Sequence, residues 1–226
     1  MFDHNNYKIL MHEFRCLVTE QHGPKVGFAN DGPIVPDQWK DSPLKVMVYG
    51  KETYGYEGCE ECPIMGNLDG WNSSKFMLTI SRLSYGLNKY HKDRVILTKN
   101  ELYHPGNEQL KDGYSKLALV EVKKTSNDGS TKKSDDTIIR RHSKQNKEFL
   151  KRQIEMIDPD IILCSGKVVY DSLAHDLNYK NMNSTPFKLS ELSIVSDTTI
   201  IHSYHPSYSK FNLYGLYTRL VKQLGS

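Results

Sequence analysis

Four apolar runs in this chain end in residues able to do chemistry. Val46-Met47-Val48-Tyr49 stops at Gly50, and Glu52 and Tyr54 follow at once. "LALVEV", Leu117 to Val122, carries Glu121 and leads directly into Lys123 and Lys124. "DIILCSG" ends at Gly166 and Lys167, and "TTIIHSY" ends at His205-Pro206-Ser207. One carboxylate, one imidazole, one stacking ring and a second carboxyl could therefore converge on one ligand, with basic residues around them. A carboxylate can stabilise a developing cation or orient water, and a histidine can donate to a departing anion. Neither group needs a metal.

The elements that must position these residues follow from periodicity. The four runs read as strands, with Lys45 to Tyr49 the first. Apolar positions Ile9, Leu10, Phe14, Leu17 and Val18 predict a helix over Asn6–Glu20. The segment "ANDGPIVPDQWKDSP" reads as loop. A second helix is expected from Asn72 to Tyr90, with Asn72 or Ser73 as its cap. A polar loop with an Asn-Asp-Gly turn follows "LALVEV". Helices are expected over about Thr137–Ile157, stopped by Asp158-Pro159, then over Val168–Leu177 and Leu213–Leu224. Alternating strands and helices predict an α/β fold, a three-layer α/β/α sandwich with a short, mostly parallel central sheet. Ligands of such sheets bind beyond the carboxyl ends of the strands, where all four residue sets lie.

Gross properties fit this reading. The 226 residues suffice for a single domain, with residues 1–43 packing on its core. Hydrophobic residues are 38% and charged residues 25%, as in a soluble globular protein. No apolar run approaches the roughly 18 residues of a membrane helix. The start, MFDHNNYKIL, lacks a signal-peptide layout, so a cytoplasmic location is expected. The net charge of +3 is too small to prove a polyanionic partner. The stretch from Lys116 to Arg152 is richer in bases, and reads either as a solvated face or as a surface tracking phosphates. Cys59 and Cys62 have a metal-like spacing, but Cys16 and Cys164 sit in apolar patterns that suggest burial. A closed zinc site wants four ligands, so no metal and no cofactor are expected.

With "YGKETYG" at 49–55, "HPSYS" at 205–209, and "LALVEV" and "PDIILCSG" in order between them, the chain resembles the uracil-DNA glycosylase superfamily. That resemblance implies an enzyme that flips a base out of DNA and cuts its bond to the sugar. By position it implies catalytic roles for Glu52, which activates water, and His205, which bonds the base O2. Gly50, Tyr54 and Glu121 would bind the base. Lys51, Lys123, Lys124, Gly166, Lys167, Ser207, Tyr208 and Lys210 would contact DNA, with Tyr208 to Phe211 in the loop that wedges into the duplex. A monomeric enzyme with DNA as partner and an abasic site as product is expected. No lysine stands where a lyase nucleophile would.

Each residue also has a plainer reading. Glu52 could cap a helix or pair Lys51, Tyr54 could be a loop aromatic, and His205 a turn histidine. Tyr208 and Phe211 could serve the core. Glu121 departs from the family, which commonly places asparagine there to read uracil. An ionised glutamate has no donor, whereas a protonated one can donate to N3 of cytosine and accept from its amino group. The expected substrate edge is therefore cytosine-like, and a C5-modified cytosine of phage DNA, hydroxymethylated or glucosylated, would spare the host genome. Anti-phage defence is the matching role. The alternatives are that Glu121 pairs Lys123 or Lys51, that the substrate is uracil in base-excision repair, that the protein hydrolyses a free nucleotide, or that it is a non-catalytic DNA-binding module.

Overall fold

The computed structural model describes residues 2–23, 27–54, 61–64, 66, 74–127, 135–177, 191–195 and 198–225. Among them the strands are β1 (Phe28–Asn30), β2 (Gly32–Pro33), β3 (Val46–Tyr54), β4 (Glu61–Pro63), β5 (Leu117–Asn127), β6 (Ile161–Ser165), β7 (Glu191–Val195) and β8 (Thr198–Ser203). The helices are α1 (His4–His22), α2 (Pro36–Lys40), α3 (Lys75–Asp93), α4 (Lys99–Tyr103), α5 (Asn107–Ser115), α6 (Asp136–Gln145), α7 (Lys147–Ile157), α8 (Lys167–Asp171) and α9 (Leu213–Leu224).

The strand order is β4-β1-β5-β3-β6-β8-β7, with β2 also on β5. The centre, β5-β3-β6-β8, is parallel throughout, while β1 and β2 run antiparallel to β5, and β7 to β8. Side chains alternate between the faces. Met47, Tyr49, Val120, Ile162, Cys164 and Ile200 join a first core with α1, α6, α7 and α8. Val46, Val48, Leu119, Leu163 and Ile201 join a second core with α3, α4, α5 and α9. The architecture is the expected α/β sandwich of three layers.

The local differences from the sequence reading have physical causes. Strands β3 and β5 run on into charged residues, past Gly50 and through Lys123 and Lys124, because each pairs with the other out to Tyr54 and Asn127. The 29–43 segment is not all loop. It supplies β1, β2 and α2, whose Trp39 is buried and donates from Nε1 to the Ile157 carbonyl at 3.1 Å. Ser74, rather than Asn72 or Ser73, caps α3 through a 3.1 Å bond from the Met77 amide. The helix expected over 137–157 is two helices, broken at Asn146, whose φ and ψ of −106° and 12° are not helical. Helix α8 widens after Asp171 into a π-helical turn over Ser172–Asp176. In α1 the buried stripe is Tyr7, Leu10, Met11, Phe14 and Val18, while Ile9 is exposed. Cys16, expected inside, is exposed, with its sulfur 3.8 Å from His12 Nε2.

Helix α3 matters most for the site, because its first turn reaches the carboxyl ends of the strands. It is held by α5, which approaches through Gly113: a Cβ there would lie 2.8 Å from Tyr85 Cβ and would also meet the Ser81 carbonyl. Backbone cannot yield as a side chain tip can, so overpacking is expected to be costly. Gly113→Ala is expected to lower unfolding stability by about 1–3 kcal/mol in denaturant melts, while the Gly23→Ala change, where nothing lies within 4 Å, acts only through its φ of +91°.

Candidate active site

The parallel register fixes where the candidate residues lie. Tyr49, Cys164 and His202 form one row across β3, β6 and β8. Glu52 and His205 each come three residues after that row, so both lie at the carboxyl edge of the sheet, two strand spacings, or about 10 Å, apart. Alternation then sorts the side chains. Gly50 and Glu52 share the face of Val46 and Val48, and Glu121 and Lys123 that of Leu117 and Leu119. Lys51 and Lys124 point to the other face. His205 joins the second face as well, because its ring stacks on Phe76 of α3 at 5.0 Å, and Phe76 packs against the second core. Gly50, Glu52, Glu121 and Lys123 therefore cluster where β3 pairs with β5, while Phe76 and His205 stack on each other beyond the end of β8; both groups lie at the carboxyl end of the sheet.

Gly50 and Glu121 are register partners. The Glu121 carboxyl occupies the space over Gly50, where a Cβ would come within 2.9 Å of its Cδ. Any larger residue at 50 would displace it. Beyond them, Glu52 and Lys123 are also register partners and form an ion pair, Oε2 to Nζ at 3.3 Å, with both side chains covered. The Ser165 hydroxyl closes the neighbouring strand end by donating to the Tyr49 carbonyl at 3.1 Å, and the Ser203 hydroxyl does the same to the Cys164 carbonyl at 3.2 Å.

The electrostatics follow from how the charges pair. Lys123 takes Glu52, and Lys51 takes Asp136 at 2.7 Å on the far face. Lys124 is wholly buried and takes both carboxylate oxygens of Asp31 at 2.7 Å. Burial lowers the Lys124 pKa, and the bonds to Asp31 oppose that loss. Glu121 is left over. Its Oε2 is enclosed with no hydrogen-bond partner among the described residues. Burial, and then the nearby Asp31 charge, push its pKa up to about 8, so the carboxyl is mostly protonated at neutral pH and can donate. Two carboxyls one strand apart thus differ in surroundings: Glu52 pairs with a cation, while burial favours the neutral form of Glu121. Neither Lys123 nor Lys51 pairs with Glu121, and Glu52 pairs Lys123 rather than Lys51. Close by, His142 is buried against His22, ring centroids 5.1 Å apart, and burial pushes it down to about 4.

His205 lies exposed in the loop after β8. Its Nδ1 accepts the Ser207 amide proton at 3.2 Å. That bond favours the neutral tautomer carrying its proton on Nε2, which leaves Nε2–H as a donor. Tyr208 stands out from this loop, 49% exposed, while Phe211 is partly buried against the second core and is committed there. Lys210 is exposed.

Other residues expected at DNA fall differently. Lys124 is an interior residue, not a surface cation, because the buried Asp31 carboxylate draws it inward. Lys123 is only 7% exposed and belongs to the Glu52 pair. Gly166, with φ of +119°, turns the chain from β6 into α8. Lys167 is exposed and shares Asp171 with Arg140, each at 2.7 Å. Of Tyr54 the backbone ends β3, and its side chain lies outside the described residues, as do Cys59 and the side chain of Cys62. An open cleft of about 370 Å³ between the start of α1 and α2 is lined by none of the residues above.

Two residues of the site escape sequence reading. Phe76 has only the signature of an apolar helix position. Asp31 lies in a segment read as loop, and nothing in the pattern links it to Lys124, 93 residues away.

The Glu121 proton has a measurable consequence. Below about pH 4.5 folded and unfolded chains both hold it. As pH rises towards 8 the unfolded chain releases it and the folded chain does not, so stability falls over that window and levels off above it. Native protein is therefore expected to lose on the order of 2 kcal/mol relative to Glu121→Gln between pH 5 and 8.5, after discounting for partial exposure. Paired denaturant melts across that range measure it, and parallel curves would remove the neutral carboxyl.

The profile of the Uracil DNA glycosylase superfamily matches residues 73–220. The match includes β5, β6, β8 and the His205 loop, and begins after "YGKETYG". A search of curated proteins finds no match. Membership brings a DNA-glycosylase type of function and DNA as the partner, and no helix among the described residues is long and apolar enough to cross a membrane. With two thirds of its length matched and the three-layer architecture around it, the chain belongs to the uracil-DNA glycosylase superfamily.

Proposed function

We propose that this protein is a monofunctional DNA glycosylase that extrudes a pyrimidine with a cytosine-type edge and hydrolyses its N-glycosidic bond, leaving an abasic site. The observation that carries the substrate half is the neutral Glu121 carboxyl over Gly50, with no cation of its own. A protonated carboxyl donates to cytosine N3 and accepts from the N4 amino group. Uracil presents N3–H and O4 instead, which the same carboxyl meets only with its proton on the other oxygen, so discrimination between the two edges rests on which oxygen carries the proton. A C5-substituted cytosine, hydroxymethylated or glucosylated as in phage DNA, is the substrate proposed, and defence against phage is the corresponding role.

The chemistry needs two charges met at opposite ends of one bond. As the bond stretches, the sugar gains cationic character and the base gains negative charge. Glu52, with Lys123 at 3.3 Å favouring its ionised form, faces the sugar and orients the attacking water, whose proton it accepts. The water oxygen bonds to C1′ and the bond to the base nitrogen breaks. His205 donates from Nε2–H to the base O2 and stabilises the leaving anion. Extrusion costs a few kcal/mol in lost stacking, which aromatic contact such as Phe76 offsets. Tyr208, exposed at the tip of its loop, is the residue proposed to fill the gap in the duplex. Lys51, Lys167, Ser207 and Lys210 are proposed contacts to the phosphates, and Tyr54 to wall the pocket.

Duplexes carrying one test base, treated with alkali after incubation, separate the readings. Native protein is expected to break strands at C5-substituted cytosine and not at uracil, and Glu121→Asn to move activity towards uracil. Strong uracil excision without action on substituted cytosine would overturn the substrate assignment, and binding without breaks at any base would overturn catalysis. Glu52→Gln is expected to slow single-turnover excision by roughly 10²–10⁴-fold and, by removing the carboxylate beside the covered Lys123, to lower the melting temperature as well; His205→Ala, at an exposed position, is expected to slow it by about 10²-fold with a melting temperature close to native.

A further inference from the structure

Asp31 lies between β1 and β2, before the segment that the family profile matches, and it is wholly buried. Its carboxylate accepts from three partners on two elements. Oδ2 accepts the Glu121 main-chain N–H at 2.6 Å. Both oxygens accept from Lys124 Nζ at 2.7 Å, and Oδ1 accepts from Gln153 Nε2 of α7 at 2.7 Å. Its carbonyl accepts the Tyr7 hydroxyl of α1 at 2.7 Å, and Gln153 also donates to that hydroxyl at 2.7 Å. The Tyr7 ring fills the space where residue 32 would carry a Cβ, 2.7 Å from Cζ, and Gly32 has φ of +140°, so the backbone there is pinned. The carboxylate is thus fixed from all sides, behind the sheet, against the main chain of the residue that faces the base.

We propose that Asp31 is a positioning residue for base recognition: its bond to the Glu121 main chain and its place in the buried cluster with Lys124, Gln153 and Tyr7 hold the Glu121 carboxyl over Gly50. This rests on the reading of Glu121 as the residue that meets the base edge. Asp31 touches no DNA and acts only through Glu121.

The charges facing Glu121 give the direction of each change. Asp31 and Glu52 favour its neutral form and Lys124 opposes it, after burial as the leading cause. Lys123 is engaged by Glu52, His142 of α6 is held neutral beside that pair, and burial and Asp31 hold the Tyr7 phenol protonated. Removing the Asp31 charge therefore favours ionised Glu121, and removing Lys124 as well cancels much of the change.

The test is direct titration of the Glu121 carboxyl by carbon-13 NMR in free protein, beside the pH profile of excision. In native protein Glu121 is expected to titrate near pH 8, as far above the ordinary carboxylate range as its surroundings imply. Asp31→Asn keeps an oxygen acceptor for the Glu121 amide, and is expected to lower that titration by about one to three pH units. The alkaline limb of excision of substituted cytosine should move down with it. Asp31→Asn with Lys124→Met, which removes the buried pair altogether, is expected to return most of the shift. An unmoved Glu121 titration in Asp31→Asn overturns the inference. If neither variant folds, the native titration still decides, because Glu121 titrating at pH 4–5 overturns it too. Failure of the base-reading assignment looks different: Glu121→Gln would then leave base preference unchanged while the carboxyl still responded to residue 31.

Discussion

The site depends on a mismatch of charge enclosed at one sheet edge. Asp31, Glu52 and Glu121 bring three carboxyls to adjacent strands, and Lys123 and Lys124 bring two ammonium groups. Among the described residues Lys123 pairs with Glu52 and Lys124 with Asp31. An unpaired charge is expensive to bury, so the third carboxyl keeps its proton instead. Side-chain alternation decides which carboxyl that is. Lys124 meets Asp31 beside α1 and α7, while Lys123 meets Glu52 close to His142 of α6. Consecutive lysines of one strand therefore serve different acids.

Everything that positions this arrangement is backbone geometry. Three parallel pairings set Gly50 opposite Glu121, Glu52 opposite Lys123, and the end of β8 at Ser203 level with Gly50, so β3 runs on past it to Tyr54. Gly50 leaves room for a carboxyl where any side chain would exclude it. The α3 helix, seated on α5 at Gly113, delivers Phe76 to the ring of His205. The Ser207 amide fixes which nitrogen of that ring keeps its hydrogen. Strands supply the carboxyls, and a turn supplies the imidazole, so the half of the site proposed to read the base is the stiffer one.

Strand cores, helix faces and the order of the elements were legible because burial writes apolar periodicity into the chain. Val46 to Tyr49, Leu117 to Val122, Ile161 to Cys164 and Leu213 to Leu224 stand where the pattern puts them. The strand extensions were not legible. Lys123 and Lys124 read as the start of a polar loop, since charge usually marks solvent. Here each is covered because an acid from a distant part of the chain neutralises it. The same blindness hid Asp31. A glutamate at 121 in place of an amide was visible as a departure, whereas its neutral state follows only from which lysines are already taken. Cys16 was misread for the opposite reason, since a helix pattern one residue wide of the stripe turns a thiol outward.

The tie between Asp31, Tyr7 and Gln153 has a consequence for how such a protein can change. On the proposed reading, the residue that tunes Glu121 lies buried behind the sheet, and both it and the Gly50–Tyr54 strand end fall before the matched span, while Glu121 and the His205 loop fall within it. A substitution at a position that contacts no nucleotide would then alter the site without changing the surface presented to the duplex.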